Sequence, residues 1–326
     1  MKPNIFELAT KELSQDAFFT WLIQWADSTN KTYDNNLNDC AQSFVQLLIN
    51  SQINYDKAIQ KVSANRQWHN IDIWAEINDE IFIIIEDKTF TTKHSDQLAT
   101  YKEIAQKYCI EKGFKLVCIY LKTGSESISS LKLVEKDGFA VVERKILVEF
   151  LNHHKEIKNE IFTDFKIRIN NLEDNTNSFK SSKIKNWNWN SWEGFYTFLQ
   201  ENIKVQDWKY VSNPRGGFLG LWWHFLEWKD YYVYLQIEQG NLCFKVGEVY
   251  KNRSPVRNEW HNIIAQKAKE RGYTEIERPK RFGTGTYMTV AIVEKQDWLG
   301  EDEDLADLEA IILKLKKYET FLNDCL

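Results

Sequence analysis

The sequence predicts an α/β chain, a mixed sheet flanked by helices, followed by a separate α+β domain. Three observations carry this expectation. The elements of the first 150 or so residues run helix, helix, three strands, helix, strand, an order that sandwiches a sheet between helices. Residues 170–190, NNLEDNTNSFKSSKIKNWNWN, turn polar and mark a boundary. Nine of the 13 tryptophans lie from Trp187 onward, so the two parts differ in character. A chain of 326 residues also exceeds the usual single core. The expected division is 1–178 and 179–326.

Each element has its own signal. In residues 12–26 the apolar positions Phe18, Trp21, Leu22 and Trp25 follow the spacing of a helix with one buried face. A second helix fits residues 39–48. Residues 58–68, 70–78 and 81–88 read as three antiparallel strands, with Asn78 and Asp79 as the hairpin turn between the last two. Residues 95–108 suit a helix with Ser95 as N-cap and Leu98, Tyr101, Ile104 and Ala105 on one side. FKLVCIYLK, 114–122, is a continuous apolar strand of the fully buried kind. A short strand at 138–143 and a helix over 145–172 complete the first domain.

In the second domain, residues 220–228, 231–239 and 241–248 alternate as strands, with turns at Asp230 and at Gly240–Asn241. Ser254 and Pro255 suit the N-cap and first position of a helix that runs to Arg271 and stops at Gly272. Strands at 273–279 and 287–294 and a helix over 304–322 follow. The acids of EDEDLADLE sit at that helix start, where they complement its dipole and need no metal to explain them.

Composition narrows the function classes. No stretch approaches the ~20 uninterrupted apolar residues of a spanning helix. The start, MKPNIFELATKEL, lacks a signal peptide's apolar region, so a soluble cytoplasmic protein is expected. Cys40, Cys109, Cys118, Cys243 and Cys325 form no CxxC pair, which argues against a zinc site or a disulfide framework and predicts buried, reduced thiols. With a net charge of −5, any nucleic acid must be met by a local basic surface.

The stretch IFIIIEDKTF, residues 81–90, carries the chemistry. A buried run of strand residues passes directly into Glu86, Asp87 and Lys88. Alternation puts Glu86 and Lys88 on one face and Asp87 on the other. Counting back across the hairpin turn sets Asp72 opposite Glu86. Two adjoining carboxylates repel unless a cation joins them, and a hard oxygen site with open positions suits Mg²⁺ or Mn²⁺. Lys88 beside it can orient water and steady charge developing on a phosphate.

Asp72 in IDIW, followed by Glu86 and Lys88 in IEDK, in this element order, resembles the PD-(D/E)xK nuclease superfamily, whose fold is restriction-endonuclease-like. Ile71 stands where that family's pattern has proline. QLATY places Gln97 and Tyr101 four residues apart on one helix face, similar to the QxxxY element of the RecB-like branch. ELSQDAFFTWL resembles the ExxHSxFLxWL first helix of a bacterial branch, with Glu12 as its acid and Gln15–Asp16 in place of His-Ser.

The resemblance covers roughly residues 1–150. It implies a metal-dependent endonuclease with Glu12, Asp72, Glu86, Lys88, Gln97 and Tyr101 at its site and with Asp72, Glu86 and Glu12 as metal ligands. It implies nucleic acid as partner, DNA first, in a restriction, phage-defence or repair setting, and no membrane; a homo-oligomer is open to it. An RNA nuclease with the same site and a non-catalytic nucleic-acid-binding or assembly module on the same fold are the alternatives.

Other polar residues are expected to be ordinary. Asp87 faces away, Glu7 lacks the flanking match of Glu12, and Arg66, His69, His153 and His154 read as solvated side chains. Residues 251–281 hold nine Lys/Arg against four acids, read first as a solvated helix face and second as a contact for a nucleic-acid backbone. The glycines in NPRGGFLG and RFGTGTY are turn-like, and no GK[ST] follows them. The second domain is expected to position substrate and to supply no metal ligand.

Overall fold

The computed structural model describes residues 2–91, 96–213 and 216–326. The chain forms two compact units: Met1–Glu126 with Ser130–Asp174, and Ser127–Ser129 with Asn175–Leu326.

The first unit contains α1 (Ile5–Leu8), α2 (Glu12–Trp25), α3 (Asn35–Asn50), β1 (Val62–Trp68), β2 (Ile71–Ile77), β3 (Ile81–Lys88), α4 (Gln97–Lys112), β4 (Lys115–Lys122), most of α5 (Ile128–Lys136), β5 (Ala140–Glu143), α6 (Arg144–His153) and most of α7 (Glu160–Asn177). Its sheet has the order β1-β2-β3-β4-β5. The first three strands pair antiparallel, and β3, β4 and β5 pair parallel. Asn78 and Asp79 take φ of 54° and 53°, the left-handed backbone of a tight turn that the Glu80 N–H closes by donating to the Ile77 carbonyl. The Asn78 Oδ1 then accepts from the backbone N–H groups of Gln60 and Lys61.

β3 is the middle strand, and every one of its residues is buried. Its isoleucine run lacks polar alternation because both faces are covered. Ile81, Ile83 and Ile85 join a core with Phe19, Leu22 and Ile23 of α2 and Phe162 and Phe165 of α7. Phe82 and Ile84 join a second core with Leu98, Tyr101 and Ala105 of α4 and Leu131 and Val134 of α5. The sheet is therefore the middle layer of three.

The single helix expected over 145–172 is two helices, α6 and α7. His154 leaves helical geometry, and the Asn159 Oδ1 accepts from the N–H groups of Ile161 and Phe162, starting the next helix. α5 escaped the sequence reading. Ser95, expected as the N-cap of α4, lies outside the described residues; the capping position is Asp96, with no side-chain cap bond. Within the polar stretch 170–190, α7 continues to Asn177, and two short 3₁₀ turns lead into the next helix.

The second unit contains α8 (Trp189–Asn202), β6 (Val205–Asn213), β7 (Gly216–Trp228), β8 (Tyr231–Glu238), β9 (Asn241–Gly247), α9 (Arg253–Arg271), β10 (Met288–Val293), α10 (Lys295–Trp298) and α11 (Leu308–Asn323). Its sheet is wholly antiparallel, ordered β10-β9-β8-β7-β6. α8, α9 and α11 send Phe195, Trp260 and Leu315 into one core with Leu221, Leu235 and Phe244 of the sheet.

The sequence reading missed α8 and β6 and misplaced three features here. Residues 273–279 are not a strand; only a bridge from Glu277 to Ile292 forms. α9 starts at Arg253 behind Asn252, so Ser254 and Pro255 fall within its first turn. α11 begins at Leu308, where Asp307 accepts from the Ala310 N–H, and most of the preceding acids lie outside the helix. No helix among the described residues is long and apolar enough to cross a membrane. All five cysteines are free and buried.

Candidate active site

β3 carries Glu86 and Lys88 to the face covered by α4, and the register Ile73 to Ile85 sets Asp72 beside them from β2. The Lys88 Nζ lies 2.5 Å from the Glu86 Oε1 and 3.7 Å from the Asp72 Oδ2. α4 closes this face: the Gln97 amide donates to the Glu86 Oε1 at 2.9 Å and to the Tyr101 hydroxyl at 2.8 Å. The Asp87 backbone N–H donates to the Asp72 Oδ2 at 3.0 Å. These bonds join Asp72, Glu86, Lys88, Gln97 and Tyr101 in one network.

Glu12 reaches the same end of β3 from the start of α2. Its Oε1 accepts from the Thr89 N–H at 2.7 Å and the Thr91 hydroxyl at 2.9 Å. The Glu12 charge also acts on Lys88.

Burying an uncompensated ion costs several kcal/mol, so these groups must answer to one another. Burial first, and the Asp72 charge second, push the Glu86 carboxyl up to about 8, although Lys88 works against both. Burial works to lower the Lys88 pKa, but the Glu86 and Asp72 carboxylates outweigh it and hold the ammonium charged. Tyr101 is raised by burial and then by the charges of Glu86 and Asp72, so it stays a neutral hydroxyl.

The opposite face of β3 holds a second acid group that the sequence reading did not find. Asp87 is fully buried there. Gln15 donates to its Oδ1 and Oδ2 at 2.6 and 2.8 Å, and to the hydroxyls of Thr123 and Thr89 at 3.0 and 3.3 Å. Asp16 stands beside it, pushed up to about 7 by burial and then by the Asp72 charge. A signal was present: Gln15 lies on the helix stripe of Phe18, Phe19 and Leu22, where a polar side chain needs a buried partner. Arg66 is not simply solvated, since its Nη1 donates to the Leu13 carbonyl at 3.0 Å and its charge acts on Asp16.

The fit of this site to a divalent cation rests on its oxygens. Among the described residues the buried Glu86 Oε2 has no hydrogen-bond partner, although the Oε1 beside it has two. Asp72 brings a second carboxylate, and the cation between them is the Lys88 ammonium. Among the described residues no group of three or more His, Cys, Asp or Glu side chains forms a ready metal cluster. Two hard carboxylates with an unused buried oxygen fit an oxygen-preferring ion that keeps water in its remaining positions.

A model of the PD-(D/E)XK nuclease superfamily matches residues 3–204, well over half of the chain. The chain belongs to this superfamily. Its members are metal-dependent nucleases, so nucleic acid is the substrate class and a divalent metal the expected cofactor. The five-stranded mixed sheet flanked by helices agrees with that membership. No curated protein and no solved structure matches the chain significantly.

Proposed function

We propose that this protein is an Mg²⁺- or Mn²⁺-dependent endonuclease acting on DNA, in a cytoplasmic restriction, phage-defence or repair setting. The observation that carries the reading is the asymmetry of Glu86: one oxygen held by Lys88 and Gln97, the other buried and, among the described residues, without a hydrogen-bond partner. Asp72 and Glu86 would hold the ion, with Glu12 as a further ligand from α2. A bound divalent ion supplies Lewis-acid polarisation of a phosphate oxygen and makes its water a better nucleophile near neutral pH.

The chain's own residues do the rest. The Lys88 ammonium, kept charged by two carboxylates, offers donors to an oxygen on which negative charge builds. Gln97 fixes the orientation of Glu86, and Tyr101 accepts from the same Gln97 amide, so α4 holds the carboxylate in place. The Asp87 peptide N–H fixes Asp72 in the same way.

The test is purified protein with Mg²⁺ or Mn²⁺ on plasmid, single-stranded DNA and RNA, beside Lys88→Ala. Cleavage of DNA that falls at least about 100-fold in Lys88→Ala, with the protein still folded, is the expected result. Preferential RNA cleavage would replace the substrate. Undiminished cleavage by Lys88→Ala would sink the site.

A further inference from the structure

The second unit carries a surface that nothing in the catalytic reading uses. Its helices α8, α9 and α11 pack on the sheet face of Leu221, Leu235 and Phe244. The strands alternate, so the other face carries Trp222, Phe225, Tyr234, Gln236, Lys245 and Thr289, of which Tyr234, Gln236 and Lys245 are buried and Phe225 is exposed.

Aromatic rings form a shelf across this face. Phe225 lies parallel on Tyr234, with ring centroids 4.5 Å apart and planes 6° apart. Phe225 is still 42% exposed despite this stacking. A bulge in β7 between Trp223 and Leu226 turns Phe225 to this side. Tyr287, 57% exposed, adds the third ring beside β9. The strand between them supplies Gly247, where a Cβ would come within 2.9 Å of the Tyr287 ring and 3.2 Å of the Tyr234 ring. The shelf needs a residue without a side chain at that position.

The rim beside Tyr287 is cationic. From Arg278 to Tyr287, RPKRFGTGTY, there are three cations and no acid, and Lys280 reaches Glu294 at 3.7 Å. The guanidinium of Arg278 lies 4.2 Å from the centre of the Phe282 ring, and that of Arg257 lies 4.0 Å from it. An open cleft of about 200 Å³, lined by Arg281, Gly283, Thr284, Gly285, Tyr287 and Thr289, joins this rim to the shelf. On the shelf itself Lys245 neutralises Glu238 at 3.1 Å and bonds Thr289 at 3.0 Å. Glu227 of β7 and Glu248, just after β9, are exposed acids of this unit.

We infer that this shelf and rim bind single-stranded DNA, with bases stacked on Phe225 and Tyr287 and the backbone along Arg278, Lys280 and Arg281. Exposed rings suit bases whose own faces are free, which a duplex does not offer, and exposed cations beside them match the phosphates. The inference rests on the nucleic-acid reading of the family, and its test is independent of cleavage.

The full chain is used in a Lys88→Ala background with chelator, and binding of a labelled oligothymidylate is read by fluorescence anisotropy. Phe225→Ala and Tyr287→Ala should each weaken binding about tenfold, while Phe225→Trp and Tyr287→Phe keep it. The triple change Arg278→Gln, Lys280→Gln, Arg281→Gln alters only surface cations and should flatten the salt dependence by about two in log–log slope. Unchanged affinity in the alanine variants overturns the inference. So does tighter binding of duplex DNA or of RNA of the same sequence, or self-association in sedimentation that the alanine variants abolish. A failed cleavage assay with intact, shelf-dependent binding would count against the catalytic site alone.

Discussion

The two oxygens of Glu86 have different fates, and that difference sets the pH behaviour of the site. Its carboxyl is pushed from 4.5 to about 8 by burial and by Asp72, and that of Asp16 from 3.8 to about 7 by the same two causes. Groups raised in this way bind protons in the folded state that the unfolded chain has already released. Their contribution to stability is full below the unfolded values and is lost as pH rises through the folded ones. The melting temperature of chelated protein should therefore fall between about pH 5 and pH 8, and Mg²⁺ should raise it more at pH 8 than at pH 6, because the ion needs the deprotonated carboxylate. Calorimetric melts at several pH values check both; a chelated protein most stable at pH 8 contradicts them. On the other face of β3, Gln15→Ala removes the amide that bonds both oxygens of Asp87. A loss of about 3 kcal/mol is expected from urea denaturation, because the acid left behind is wholly buried.

At the scale of elements, the site depends on how the ends of β3 and β4 approach each other. Thr123 donates its N–H to the Lys88 carbonyl, and Gly124 then passes so close to Thr89 that a Cβ would lie 1.8 Å from the Thr89 carbonyl oxygen. Backbone cannot yield as a flexible side chain does. Gly124→Ala should cost about 2–3 kcal/mol in urea denaturation and reduce cleavage as well, since Thr89 is also where Glu12 is bonded. An alanine variant with native stability would show that the chain passes there more loosely.

At the scale of the molecule, each unit has a core of its own. Nine of the 13 tryptophans lie in the second, so fluorescence reports mainly on that unit while far-UV circular dichroism reports on both. Urea unfolding followed by the two probes should give non-coincident transitions; superimposable curves would mean the units unfold as one.

What the sequence determined by itself is what depends on near neighbours along the chain. The Asn78–Asp79 turn fixes the β2–β3 register through local backbone preference, and that register alone brings Asp72 level with Glu86. The alternation of β3 likewise separates Glu86 and Lys88 from Asp87. The break at Asn159 was written just as locally, but the apolar spacing on both sides hid it. Only the tertiary structure decided which side chains meet across elements. Gln15 grips Asp87 from 72 residues away, Gln97 chooses one oxygen of Glu86, and Phe225 settles on Tyr234 through a bulge that strand alternation does not foresee. The physical reason is that turns and alternation are enforced by each residue's own sterics, whereas the partner of a buried polar group or ring is fixed only once the layers have packed.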